Sequence, residues 1–340
     1  MNNSPFVLQP ASVRSVMVRV LAALLPGVAA YVHFFGASIL IQLGLASATA
    51  LGTEALVLFL RRKPVWLFVS DGSALVTAWL IALTFPPIGP WWLIVVGTAF
   101  AIVIVKHLYG GLGQNPFNPA MAAFCLMIVA YPLLMSQWPA GAADFATQMR
   151  LIFGNRELDG LTMATPLDAL RTALHGNART TVEAVTGSGP VFGYLGGKGW
   201  EWIALGYLAG GLWLLQQRLI TWHLPTAFLA GLGLCAGLAH LANPGLYASP
   251  LFHLFSGGTL LGAFFIVTDP VSGATTPRGK LIFGAAIGLL TWVIRTFGAY
   301  PDGIAFAVML MNIGVPLIDM YTQPPVFGHK IRNKGKGGHP

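Results

Sequence analysis

Long apolar runs separated by short polar or Gly- and Pro-marked breaks dominate this chain. Runs near 16–35, 37–59, 69–86, 91–108, 118–135, 200–217, 223–241, 254–269, 281–298 and 303–319 approach the roughly 20 apolar residues a helix needs to cross a bilayer. The pattern predicts an all-α polytopic membrane protein with about ten transmembrane helices. One long polar stretch interrupts it and divides the chain into a first five-helix unit (1–135), a segment at 136–199, a second five-helix unit (200–320) and a basic tail (321–340).

The two units echo each other. Ser70-Asp71-Gly72-Ser73-Ala74-Leu75 is matched by Ser256-Gly257-Gly258-Thr259-Leu260-Leu261, and each opens a Gly-marked apolar segment that ends at proline, Pro86-Pro87 or Asp269-Pro270. A second Pro-rich helix entry follows roughly 40 residues on, Asn115-Pro116-Phe117-Asn118-Pro119 in one unit and Tyr300-Pro301-Asp302-Gly303 in the other. Paired interrupted helices in two membrane repeats predict a central site built from broken helices. Gly and Pro are also simply frequent in membrane helices.

Composition agrees with the pattern: 55% hydrophobic, only 9% charged, mean hydropathy +0.70. The net charge of +8 excludes little by itself, but the basic residues flank apolar runs instead of forming a nucleic-acid-binding face. Arg14, Arg19, Arg61, Arg62, Lys63, Lys106, Arg218, Arg278, Lys280, Lys330, Arg332, Lys334 and Lys336 fall on one side of the predicted topology. The short connections near 86–90, 242–253 and 299–302 carry no Lys or Arg. The positive-inside rule then predicts cytoplasmic termini and an external 136–199 segment. The first apolar run contains Arg19 and lacks a small-residue cleavage site behind it, so no cleavable signal peptide is expected.

Few residues inside the runs carry chemistry. Cys125 and Cys235 read as small buried hydrophobes, and the eight histidines form no HxxxH or HxH pair, so no metal site is expected. Glu54, in mid-run, must pair, protonate or face a cavity. Hydrogen bonding to a neighbouring helix and an ion or proton role are equally open for it. Asp71, Asp269 and Asp302 lie near helix ends, where solvation accounts for them as well as function does.

The sharpest signal is Asp159-Gly160-Leu161-Thr162-Met163-Ala164-Thr165-Pro166-Leu167 in the 136–199 segment. A turn at Asp-Gly is followed by Thr-Pro, which predicts a helix starting at Pro166, with Thr165 as its N-cap and Asp168 in the first turn. The same geometry suits a phosphate, because the free N–H groups and the positive end of the helix dipole face the cap residue. From the residues alone both readings stand.

Four strings carry a resemblance that runs over nearly the whole chain: Gly110-Gly111-Leu112-Gly113-Gln114-Asn115-Pro116-Phe117-Asn118-Pro119-Ala120, the string at 159–167, Gly257-Gly258-Thr259-Leu260-Leu261-Gly262-Ala263-Phe264-Phe265, and Thr268-Asp269-Pro270-Val271-Ser272-Gly273-Ala274-Thr275-Thr276. They resemble the NqrB/RnfD family, which contains the D subunits of the Rnf ion-translocating electron transport complexes and the B subunits of the sodium-pumping NADH:quinone reductases. The resemblance implies a urea-transporter-like fold and a bacterial cytoplasmic-membrane location. It also implies FMN joined through its phosphate to a threonine by a separate flavin transferase that recognises Asp-x-x-(Ser/Thr)-Gly-Ala-Thr. Carried over, Asp159 is the motif acid, Thr162 its hydroxyl residue, Ala164 its alanine and Thr165 the acceptor. Electrons would pass between ferredoxin and NAD through iron–sulfur and flavin centres on several subunits, driving Na⁺ or H⁺ across the membrane. This chain would act only within that complex, embedded in lipid and without nucleic acid. Riboflavin held non-covalently is a further family feature, with no residues assigned here.

Met163 stands where the transferase motif has Gly, and Asp269-Pro270-Val271-Ser272-Gly273-Ala274-Thr275 fits the motif letters better. The predicted topology puts Thr275 on the cytoplasmic side and the transferase outside, which makes Thr165 the expected acceptor and Thr275 its rival. A small-solute channel would share the duplicated architecture, with an unmodified Thr165 and measurable flux. A purely structural membrane protein would show neither flavin nor flux.

Overall fold

The computed structural model describes residues 12–154, 156, 158, 160–176 and 180–323. Asp159, Arg179 and nearly all of the basic tail, with Lys330, Arg332, Lys334 and Lys336, lie outside these residues. The first part of the chain forms α1 (Val13–Phe35), α2 (Ser38–Leu60), α3 (Val65–Val69), α4 (Ser73–Thr84), α5 (Trp91–Phe100) and α6 (Pro119–Ala130), and α5 continues as a π-helix through Ala101–His107. A stretch of short elements follows: α7 (Pro132–Met135), β1 (Trp138–Pro139), α8 (Phe145–Phe153), β2 (Thr162–Met163), α9 (Pro166–Gly176) and α10 (Val182–Ser188). The last part holds α11 (Trp200–Gln216), α12 (His223–Ala242), α13 (Pro250–Phe255), α14 (Thr259–Leu261), a second π-helix (Gly262–Ile266), α15 (Pro277–Phe297) and α16 (Ile304–Thr322).

Among the described residues, α1, α2, α12, α15 and α16 are long and apolar enough to cross a membrane. Phe59, Leu60, Leu238 and Leu241 point outward, a surface that fits acyl chains. The chain is thus a multi-pass helical membrane protein. Three of the predicted runs are not continuous helices. The run at 69–86 breaks at Gly72, whose φ of +80° is left-handed, and Asp71 Oδ1 accepts the Ser73 N–H at the restart (2.7 Å). The run at 254–269 breaks in the same way at Gly257, φ +64°. The third, 118–135, is interrupted at Tyr131-Pro132 because proline has no N–H to continue the ladder.

Small residues set the tightest helix pairs. α1 packs on α11 so closely that a Cβ on Gly206 would lie 2.7 Å from Gly27 Cα, and one on Gly210 would lie 1.8 Å from the Ala23 carbonyl oxygen. α12 packs on α15 in the same manner, with Gly288 against the Phe228 carbonyl (2.3 Å to a Cβ). In lipid, where burying apolar surface gives no advantage, such close backbone approach is what holds helices together. One continuous apolar core joins the two ends of the chain, with α6 against α16. A smaller core of Leu167, Leu170, Val182, Ala248 and Phe252 ties α9 and α10 to α13 and the linker before it.

Candidate functional site

The 136–199 segment is more ordered than its polarity suggests. β1 and β2 pair antiparallel, Trp138 opposite Met163 and Pro139 opposite Thr162, and the Ala140 N–H donates to the Leu161 carbonyl at 3.0 Å. This ladder delivers the chain into Thr165, which caps α9 as its sequence predicts: the Asp168 N–H donates to Thr165 Oγ1 (3.3 Å) and the Ala169 N–H to the Thr165 carbonyl (2.8 Å). Pro166 is pressed against Gly197, where a Cβ would meet Pro166 Cγ at 2.1 Å, and Leu167 sits over Gly257, where a Cβ would meet Leu167 Cδ1 at 2.7 Å. The helix start is fixed by backbone on two sides. Thr162 and Met163 are half-buried in β2, Ala164 is exposed, and Asp159 lies outside the described residues.

Thr165 lines a cavity of about 360 Å³ that reaches down between α1, α6, α11 and the start of α16. Six aromatic side chains, Tyr31, Phe124, Trp138, Trp200, Tyr207 and Tyr300, stand in its wall among aliphatic ones. Trp200 is the hinge of this set, edge-on to Trp138 (5.2 Å between centroids) and to Tyr31 (5.9 Å). The hydroxyls of Tyr31 and Tyr207 are buried with no hydrogen-bond partner among the described residues. Unmet polar groups of this kind are uncommon and costly unless something binds them. Asp168, Arg171 and Asp302 supply the charge at the wall.

Thr275 has different surroundings. Its N–H donates to Asp319 Oδ1 (3.0 Å) and its hydroxyl to Asp319 Oδ2 (2.9 Å), while Thr276 caps α15 by accepting the Gly279 N–H (2.9 Å). Thr275 is absent from the aromatic cavity.

Glu54 pairs. Lys106 Nζ donates to Glu54 Oε1 (2.5 Å) and to Ser73 Oγ (2.7 Å), and His107 Nε2 lies 3.3 Å from the same carboxylate oxygen. Both charged groups are almost fully buried, Glu54 at 1% and Lys106 at 3% exposure. Lys106 is therefore no surface topology mark, as its sequence position suggests, but the partner that lets Glu54 be buried. The π-helical winding at 101–107 brings the consecutive Lys106 and His107 to one carboxylate. The second half holds a related arrangement: buried Arg295 donates to Thr259 Oγ1 (2.9 Å), to the His253 carbonyl (2.8 Å) and to Asp302 Oδ1 (3.0 Å). Asp302 also accepts the Gly258 N–H (2.9 Å), so it braces the broken helix while its side chain stays partly exposed. Asp269 is likewise engaged, accepting from Ser272 Oγ (2.7 Å) and the Val271 N–H (3.1 Å).

Residues 1–328 match the family described as the NQR2, RnfD, RnfE family. Curated relatives, each named as the D subunit of an ion-translocating oxidoreductase complex, are similar from end to end. The one from Yersinia pseudotuberculosis serotype O:1b (strain IP 31758) is 48% identical, covering 98% of this chain and 99% of its own. Those from Escherichia fergusonii and Escherichia coli (strain SE11) are each 47% identical, covering 96% of this chain and 98% of their own. A helical membrane chain with these broken helices, matched over this length at this identity, belongs to the NQR2, RnfD, RnfE family.

Proposed function

We propose that this chain is the flavin-bearing membrane subunit of an Rnf-type ion-translocating ferredoxin:NAD oxidoreductase complex, with FMN joined through its phosphate to Thr165 Oγ1. The observation that carries the reading is that Thr165 lines a cavity of about 360 Å³ whose wall also includes Tyr31 and Tyr207, two tyrosines with buried hydroxyls that lack partners among the described residues. That volume lies within the range of cofactor pockets. FMN would supply two-electron chemistry with release of one electron at a time. Tyr31 and Tyr207 would hydrogen-bond the polar edge of the ring system, and Trp138 and Trp200 would give it flat apolar contact. The N-terminus of α9 would hold the phosphate. A phosphoester at Thr275 would instead face the Asp319 carboxylate, now 2.9 Å from the hydroxyl oxygen, and be repelled.

The finer architecture is part of the same proposal: ten membrane segments in two five-helix units of urea-transporter-like fold. Its support is that each unit carries a third element broken at a left-handed glycine, Gly72 or Gly257, and a buried cation bonded to the hydroxyl that opens the restarted helix, Lys106 to Ser73 and Arg295 to Thr259. The fifth run is interrupted in the first unit, at Tyr131-Pro132, and continuous in the second. On this reading the complex lies in the bacterial cytoplasmic membrane, the termini are cytoplasmic, and the 136–199 segment faces outward, where a flavin transferase reaches Thr165. Electron transfer through this chain would be coupled to movement of Na⁺ or H⁺ by the complex. A non-covalent riboflavin belongs to the same proposal, with no residues assigned to it. The test is the mass of the tryptic peptide 157–171 from cells that contain a flavin transferase. FMN less one water, localised to Thr165, is expected; an unmodified peptide overturns the assignment.

A further inference from the structure

A second cavity, of about 250 Å³, lies beside the first and beneath the same helix α9. Its apolar lining includes Leu170, Leu174, Leu246, Phe252 and Phe297. Every ionisable side chain among its described lining other than Tyr247 is basic: Arg171, His175, His253 and Arg295. Arg295 is offset by Asp302, 3.0 Å away. Arg171 has no carboxylate within ion-pair distance among the described residues; it donates to the Ala299 carbonyl. Two further buried nitrogens, His253 Nδ1 and Arg295 Nε, lack partners among the described residues although both side chains are more than nine-tenths buried. A cavity with positive charge, unmet buried nitrogens and no acid selects an anion with hydrogen-bonding oxygens.

Position narrows the ligand. Phe297 closes the candidate span α15 and is 65% exposed, and Leu246 is 47% exposed, so the cavity opens where a membrane helix ends and lipid-facing apolar surface begins. We propose that this cavity binds the phosphate of an anionic phospholipid, with Arg171 and the buried His253 and Arg295 toward the phosphate and the acyl chains along Leu246 and Phe297. The lipid would brace α9 next to the aromatic cavity, with which this one shares Leu167 and Arg171. The site stands whether or not Thr165 carries a flavin.

The experiment is native mass spectrometry of the full chain in mild detergent, with phosphatidylglycerol, phosphatidylcholine or inorganic phosphate added, on wild type, Arg171→Gln and Ala248→Phe. Of the two cavities Ala248 lines this one and not the other, so Ala248→Phe fills it directly, whereas Arg171, half-buried, lines both, so Arg171→Gln tests the charge without adding bulk and guards against a packing failure in the other variant. One phosphatidylglycerol retained by wild type, little phosphatidylcholine, and roughly fivefold lower retention in Arg171→Gln are expected, with lower retention in Ala248→Phe as well. Equal retention of both lipids, or variants that retain phosphatidylglycerol as wild type does, overturns the proposal. Binding of inorganic phosphate without retained lipid overturns the lipid assignment in favour of a soluble phosphate. Flavin fluorescence of the same samples reports separately on Thr165.

Discussion

Replacing Lys106 with methionine tests the buried polar cluster. The lysine gives Glu54 its shortest contact, 2.5 Å, and also binds Ser73 at 2.7 Å; without it the carboxylate keeps only His107 at 3.3 Å, and its second oxygen already lacks a partner among the described residues. Glu54 is 1% exposed, so water cannot compensate. Breaking one side of a buried ion pair costs about 3–5 kcal/mol, whereas replacing both partners by well-packed neutral groups is close to neutral. Lys106→Met should therefore lose roughly that amount, and Glu54→Gln combined with Lys106→Met should recover most of it. The assay is a double-mutant cycle on unfolding in detergent micelles, followed by near-ultraviolet circular dichroism. A single variant as stable as wild type, or a double variant as unstable as the sum of the singles, would refute the pairing as the reason Glu54 is tolerated in the membrane.

Other outcomes follow from named contacts. Gly210→Val places a Cβ 1.8 Å from the Ala23 carbonyl oxygen, so α1 and α11 must separate; a loss above about 3 kcal/mol is expected, read as failure to recover folded chain from membranes. Arg295→Met removes the donors to His253, Thr259 and Asp302 and should loosen the restart at Gly258, seen as faster amide exchange over 256–262, whereas Arg278→Met, at an exposed site, should leave exchange there unchanged. Hydrogen bonds from Thr147 hold the Asp144 carboxyl below its ordinary range at the N-cap of α8. Its capping contribution is thus present at neutral pH and lost as acid protonates it, so the protection of α8 amides relative to their intrinsic exchange rate, which itself slows in acid, should fall on acidification in wild type but not in Asp144→Asn.

Much of the architecture is legible in the sequence because lipid imposes long apolar runs, and the breaks at Gly72 and Gly257 are written as Gly-marked strings in both halves. The cap at Thr165 is legible too, since Thr-Pro is a local signal. Partners are not. Helices that are apolar all round carry little amphipathic signal to say which face turns inward, so the meeting of Glu54 with Lys106 across 52 residues leaves no periodic trace. Lys106 beside a predicted helix end looks like a topology charge until α2 and α5 are packed together. Nothing in the sequence singles out Tyr31 and Tyr207, and only the close approach of α1 and α11 brings both side chains to the wall of the cavity that Thr165 also lines. Order in the 136–199 segment escapes for another reason: a two-residue ladder and helices of 7 to 11 residues fall below what periodicity resolves.

The most direct measurement is in-gel ultraviolet fluorescence of the SDS-denatured chain, expressed with and without a flavin transferase, for wild type, Thr165→Val and Thr275→Val. Denaturation removes every non-covalent flavin, so a remaining signal reports the phosphoester alone. The account predicts a transferase-dependent band in wild type and Thr275→Val that vanishes in Thr165→Val. A dark wild-type band with active transferase, or a band that survives in Thr165→Val, contradicts it.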